Sequence, residues 1–269
     1  MATALMTSFD EVYALPDPRG YFTTLRPYEY QTPHHAQRMF RGLLEELGPG
    51  PHTMLDLCCS YGINAALLTC DVTLADLYEH YTARATASLS TDELASRDRE
   101  FYAARRLADP VRVIGVDASA PAIAYALAVG LLAEGYAENL ETAPPSAELL
   151  RAAAGAGLIT VTGGSSFLTA RTYAPLAGAT AGRAPVASFV LRHHDYEPVT
   201  ACLAGLGLTD RRSPVSYPQR RFTDAEEQRR VLAALAARGV DTAGKEADGW
   251  HHAWLHVARP DRSASPGAE

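Results

Sequence analysis

Lysine is almost missing from this sequence: of 24 basic residues only Lys245 is a lysine, and the arginines are spread along the chain. With 31 acidic residues the formal net charge is −7, and a net negative chain without a segregated basic stripe binds phosphate backbones poorly. No nucleic-acid partner is expected. Cysteine is scarce as well. The four present (Cys58, Cys59, Cys70, Cys202) form no C-x-x-C pair, which argues against a disulfide framework or a zinc site and for small thiols in a reducing compartment. No run approaches the roughly 18 apolar residues that span a bilayer, and residues 1–10 carry neither a basic n-region nor an apolar h-region. A cytoplasmic protein with no membrane partner is expected. What the sequence does have is 269 residues, 47% of them apolar, enough to bury a core without staples.

Residues up to about 37 are rich in Pro and Tyr (Pro16, Pro18, Tyr21, Pro27, Tyr28, Tyr30, Pro33), a composition that favours an ordered arm over long helices. A helix is expected at about 34–47, stopped by Gly48, Pro49, Gly50 and Pro51. The apolar run 53–59 suits a buried strand, and helical periodicity follows from Gly62 to Cys70. A second unit of the same kind starts at Val111, where the strand 111–117 ends in Asp117, Ser119 caps a helix, Pro121 lies in its first turn and Gly130 just beyond its end. Further short strands are expected at 158–161 and 185–191, each followed by a helix. Strands alternating with helices imply a parallel sheet covered on both faces. Polar residues 209–222, a capping box at Thr223-Asp224-Ala225-Glu226 and a closing strand at 250–257 predict an antiparallel edge. The expected organisation is a single α/β domain over residues 1–269, with an N-terminal arm or cap at 1–48, a helical insertion at about 71–110 and a flexible tail at 260–269.

The stretch Leu55-Asp56-Leu57-Cys58-Cys59-Ser60-Tyr61-Gly62-Ile63-Asn64, with Val113-Ile114-Gly115-Val116-Asp117-Ala118-Ser119, resembles the first two motifs of the Rossmann-like class I S-adenosylmethionine (SAM)-dependent methyltransferases. Those motifs place a Gly-rich turn after the first strand and an acid at the end of the second. A strand-to-helix turn presents free N–H groups and the positive end of a helix, and a strand-end carboxylate can accept two hydrogen bonds from a ribose diol. The resemblance implies SAM as cofactor. It assigns Asp56, Cys58, Ser60, Tyr61, Gly62 and Asn64 to the first motif, and Asp117, Ala118 and Ser119 to the ribose. Gly135-Tyr136-Ala137-Glu138-Asn139-Leu140 resembles the family's third-strand end, which brings Ala137, Glu138 and Asn139 to the adenine. Cys58 and Ser60 stand where the family has glycine, and Tyr136 stands where an acid is common. A nicotinamide dinucleotide would favour Gly-x-Gly-x-x-Gly, and with Lys245 as the only lysine a Tyr-x-x-x-Lys pair is impossible.

The implied activity is methyl transfer to an N or O nucleophile of a small molecule. One alternative is an enzyme of the same fold that attacks the aminocarboxypropyl carbon of SAM, by ring closure or by transfer, and releases 5′-methylthioadenosine. Another is a SAM-binding module without catalysis. Aromatic faces suit a sulfonium, which makes Tyr21, Tyr28 and Tyr30 candidates in the arm, with Arg19 for the methionine carboxylate; the same tyrosines could equally pin the arm to the domain. Thr162 and Gly163, after the fourth expected strand, lie on the edge where open α/β sheets bind ligands. His193 or His194, after the fifth, is a candidate general base. No metal is expected, because strand alternation sets His251 on the face opposite His252 and His256. Arg220, Arg221, Arg229 and Arg230 alternate with acids and predict a solvated face. The acceptor and the oligomeric state are not written in any pattern.

Overall fold

The computed structural model describes residues 5–261. The arm forms two short helices, α1 (Asp10–Tyr13) and α2 (Arg19–Leu25), then a 3-10 turn and the longer α3 (Thr32–Glu46). Pro33 falls in the first turn of α3, where its missing N–H has no helical partner anyway. The helix therefore starts earlier than its apolar periodicity predicts.

The first strand is β1 (Thr53–Leu57), followed by α4 (Ile63–Thr69). The insertion comes next as α5 (Leu74–Thr82), α6 (Arg84–Ala87) and α7 (Thr91–Ala103). The alternation resumes with β2 (Arg112–Asp117), α8 (Ala120–Ala128), β3 (Glu134–Ala137), α9 (Ala147–Ala154), β4 (Leu158–Val161), α10 (Ala170–Ala179), β5 (Val186–Leu191) and α11 (Glu197–Gly205). The chain closes with β6 (Leu208–Arg221), α12 (Ala225–Ala237) and β7 (Trp250–Pro260). The strands make one seven-stranded sheet in the order β3-β2-β1-β4-β5-β7-β6. Neighbours from β3 to β5 are parallel, whereas β7 runs antiparallel to both β5 and β6.

Alternation along the buried strands sends neighbouring side chains to opposite faces. Met54, Val113 and Leu158 join α3, α4, α8 and the insertion in one core, while Leu55, Leu57, Ile114 and Ile159 join α9, α10 and α11 in a second. Polar β6 sits at the sheet edge, with register shifts at 212/216 and 218/220. Pro214 and Pro218 are tolerated at such an irregular edge.

The insertion is held to the sheet layer by a buried carboxylate. Asp98 accepts hydrogen bonds from Nε2 of His80, the hydroxyl of Tyr81 and the hydroxyl of Tyr125 on α8, each at 2.6 Å. The arm rests on this insertion. Phe22 is fully buried and stacks on Tyr81 at a ring-centroid distance of 4.7 Å, and the Tyr78 hydroxyl donates to the Tyr30 carbonyl at 2.9 Å.

Three expectations change here. Arg19 holds no carboxylate in a cleft: Nη1 donates to the carbonyls of Thr86 (3.0 Å) and Leu89 (2.8 Å), and Nε and Nη2 pair with Asp17. Its donors are committed to the seam between arm and insertion. The cap of α12 is Asp224 and not Thr223, because the Asp224 side chain accepts from the N–H groups of Glu226 and Glu227. Arg220 is not solvated. It is 2% exposed and makes a two-pronged pair with Glu227, itself fully buried, at 3.1 and 2.7 Å.

Candidate functional site

A cavity of about 660 Å³ opens at the C-terminal ends of β1, β2 and β4 and is roofed by the arm. Its floor is the turn after β1. Cys58, Ser60 and Gly62 all adopt left-handed conformations, with φ of 53°, 50° and 79°. That region is natural for glycine but costs an L side chain about 1–2 kcal/mol. The turn is nevertheless fixed: Cys59 N–H donates to the Val116 carbonyl, Gly62 N–H to the Cys59 carbonyl at 2.9 Å, and Ser60 N–H to Oδ2 of Asp117 at 2.9 Å.

Asp117 has a double role. Its Oδ1 accepts from Ser119 N–H at 2.8 Å and its Oδ2 from Ser60, so each oxygen keeps a lone pair for a ligand diol. Burial raises its pKa, and the backbone N–H groups of Ser119, Ser60 and Ala118 offset only part of that. Ser60 lines the cavity, and its buried Oγ has no partner among the described residues.

Asp56 lies directly beneath the floor. It is fully buried and accepts from Oγ1 of Thr160 at 2.8 Å and from Nδ2 of Asn64, which also reaches Oγ1 of Thr162 at 2.7 Å. Asn64 and Thr162 face the cavity, whereas Asp56 reaches it only through them. Burial pushes the Asp56 carboxyl up to about 7, against the bonds from Thr160 and Asn64 and with the nearby Asp117 charge adding to the rise. The folded protein therefore holds a proton that the unfolded chain releases near 3.8. Unfolding free energy should fall as pH rises through that window and level off above about 7. Asp56→Asn is expected to remove that slope. In urea titrations its stability relative to the parent should improve from about pH 5 to about pH 8; a gap constant with pH would contradict the assignment.

Around the rim, Ala118 and Ser119 follow β2, Glu138 and Asn139 follow β3, and Gly163 follows β4. Tyr21 and Tyr30 descend from the arm. The Tyr30 hydroxyl lies so close to the β4 turn that a Cβ on Gly163 would come within 2.5 Å of it, which explains the glycine there. Burial raises the pKa of both phenols, Tyr30 to about 12, and they stay neutral.

Several candidates lie elsewhere. Tyr28 packs on Phe9 at 5.5 Å, because the 3-10 turn and the left-handed Glu29 (φ 52°) turn the chain between Tyr28 and Tyr30. Tyr61 points to the arm, its hydroxyl donating to the carbonyls of Val12 (2.8 Å) and Leu15 (2.9 Å). Gly62 caps α4 against Ala126 and Leu131, and Ala137 ends β3 outside the cavity lining. His193 faces His251 at 5.7 Å on the β7 side of the sheet, and burial with the neighbouring His251 lowers its pKa to about 3. Neither His193 nor His194 reaches the cavity. Residues not singled out in the sequence also line it, among them Tyr13, Glu141 and Phe167. Phe167, 64% exposed at the mouth, had one available signal: it is a large apolar residue in a polar loop.

The strand order, with β7 reversed between β5 and β6, settles the architecture. The fold is that of the class I SAM-dependent methyltransferases. No family model matches the chain, and no curated protein does. Among solved structures it is similar to magnesium protoporphyrin IX methyltransferase from Synechocystis PCC 6803 with bound SAM (11% identity, TM-score 0.41, covering 85% of this chain and 78% of that one). It is also similar to a TehB-like SAM-dependent methyltransferase from Corynebacterium glutamicum (12%, TM-score 0.40, 86% and 98%) and to the plantazolicin methyltransferase BamL (11%, TM-score 0.43, 86% and 85%). In the methyltransferase fold of this chain, every charged side chain that lines the cavity among the described residues is acidic: Asp117, Glu138 and Glu141.

Proposed function

We propose that this protein is a SAM-dependent transferase that methylates an N or O nucleophile of a small molecule. The observation that carries the reading is Asp117, held at the end of β2 by two N–H groups with one lone pair free on each oxygen. The cavity size supports it, since small-molecule sites span about 300–1,000 Å³. In this reading Asp117 takes the ribose hydroxyls, Glu138 and Asn139 the adenine edge, and Ser60, Asn64 and Thr162 the amino-acid end. The orphaned Ser60 hydroxyl fits such a ligand, as do the neutral faces of Tyr21 and Tyr30 beside a sulfonium. When bound, the cofactor supplies an electrophilic carbon on a positive sulfur. The chain's own part is to align the two reactants and to keep water out, which the arm tyrosines do by roofing the cavity.

A second reading, attack on the aminocarboxypropyl carbon, is favoured by one feature: among the described residues no His, Lys or Arg lines the cavity, which offers an acceptor no imidazole or amine base. Product analysis separates the readings. Incubation of the purified chain with SAM and a panel of amine and hydroxyl acceptors should yield S-adenosylhomocysteine. Formation of 5′-methylthioadenosine from SAM alone would replace methyl transfer by the second reading, and binding without turnover in any panel would leave a SAM-binding module.

A further inference from the structure

Among the described residues, three carboxylates line the cavity and no cationic side chain does. All three are positioned by the protein itself. Glu138 accepts from the N–H of Ser146 (2.9 Å) and its hydroxyl (2.6 Å), Glu141 from the N–H of Thr169 (2.8 Å) and the hydroxyls of Thr169 (2.7 Å) and Thr172 (2.6 Å), and Asp117 from Ser60 and Ser119. The hydrogen-bond donors are neutral and orient the carboxylates; Arg171, whose Nη1 donates to the Glu141 carbonyl at 2.9 Å, offsets part of the charge of Glu141 alone. Asp56 adds a fourth carboxyl just under the floor, and its neighbours are neutral too. The cavity wall also offers a second, independent sign of a ligand: the Ser60 hydroxyl, on a residue 6% exposed, is buried and unpartnered. Under the arm, the net negative field of this lining acts more strongly than it would on an open surface.

Resting on the SAM reading, we propose that this cavity selects its ligand by charge, retaining the sulfonium form and rejecting the thioether left after transfer. Whichever carbon is attacked, the nucleophile's lone pair forms the new bond while the C–S bond breaks and leaves its electron pair on sulfur. The sulfur thereby loses its positive charge. The product keeps the adenosine that Asp117 and Glu138 address, but it no longer carries the cation that the acidic wall favours. After methyl transfer the spent ligand keeps its amino-acid carboxylate, for which the described lining offers only neutral donors such as the Ser60 hydroxyl and the Tyr21 and Tyr30 phenols; after attack on the aminocarboxypropyl carbon it has no carboxylate, so in neither case would an ion pair hold it in place. Product release is driven by the same charges that favour binding.

Isothermal titration of the full chain at low ionic strength tests this with three probes: SAM, S-adenosylhomocysteine, and sinefungin, which carries an ammonium on carbon where SAM has its sulfonium. SAM and sinefungin should bind about ten-fold or more tightly than S-adenosylhomocysteine, and added salt should narrow the gap. Glu141→Gln should narrow it too, leaving the affinity for S-adenosylhomocysteine unchanged. The salt series on the parent protein decides the matter even if that variant folds poorly. S-adenosylhomocysteine binding within about two-fold of SAM, or a gap insensitive to salt, overturns charge selection while leaving the SAM reading intact. Binding of none of the three overturns both.

Discussion

Replacing Asp117 by alanine is expected to weaken SAM binding by about ten-fold or more, at least about 1.4 kcal/mol. The loss has two sources. The diol acceptor goes, and the N–H groups of Ser60 and Ser119 lose the carboxylate that accepts from them at 2.9 and 2.8 Å. Since Ser60 sits at φ 50°, the turn is then free to relax away from the geometry that exposes its hydroxyl. Asp117→Asn, which keeps one acceptor oxygen, should weaken binding less. Titration calorimetry on both variants, with thermal melts to show that the fold persists, is the measurement. Unchanged affinity in the alanine variant would remove Asp117 from the site.

The largest effect on stability is expected at Glu227. Its carboxylate accepts two bonds from the Arg220 guanidinium and one each from the N–H groups of Thr223 (2.7 Å) and Thr7 (2.8 Å), so one buried side chain ties together β6, α12 and the start of the arm. Glu227→Ala strands a buried guanidinium and should cost about 3–5 kcal/mol in urea unfolding. Burial alone would raise the Glu227 pKa, but the His251 ring at 3.5 Å, the bonds from Arg220 and the two N–H groups outweigh it and hold the group well below the usual carboxylate range. A depressed folded pKa gives stability that is complete above the unfolded value near 4.5 and fades as pH falls below it. The gap between parent and variant should therefore close in acid. A gap under about 1 kcal/mol at neutral pH would show the pair to be dispensable.

Local signals in the sequence carried much of the architecture. The apolar runs at β1, β4 and β5, the Ser119 cap and the terminal acid of β2 each depend on neighbours within a few positions, so their spacing is enough to read them. The cavity residues contributed by the sheet edge, from Ser60 to Gly163, follow from the same alternation, because a strand's end fixes where the next residues face. What depends on distant partners was not legible. Arg19 finds its carbonyls about 70 positions away, and Arg220 meets Glu227 across a strand-to-helix corner that no period predicts. Tyr28 and Tyr30 are alike in composition and spacing, and only the left-handed Glu29 between them decides which one roofs the cavity. His193 follows a strand at the right edge, yet β5 lies next to β7, so its loop opens toward His251 and away from the ligand cavity.

The support of Tyr30 has a consequence for how this cavity changes over time. Its backbone carbonyl accepts from Tyr78 in the insertion, and Phe22 of the arm stacks on Tyr81 of the same insertion. The insertion supplies none of the cavity-lining residues. Ceiling and floor are thus borne by separate parts of the chain, and a substitution in α5 or α7 can raise, tilt or lower the ceiling while every ligand-facing residue stays the same. Two descendants of this protein could share an identical lining and still admit different acceptors.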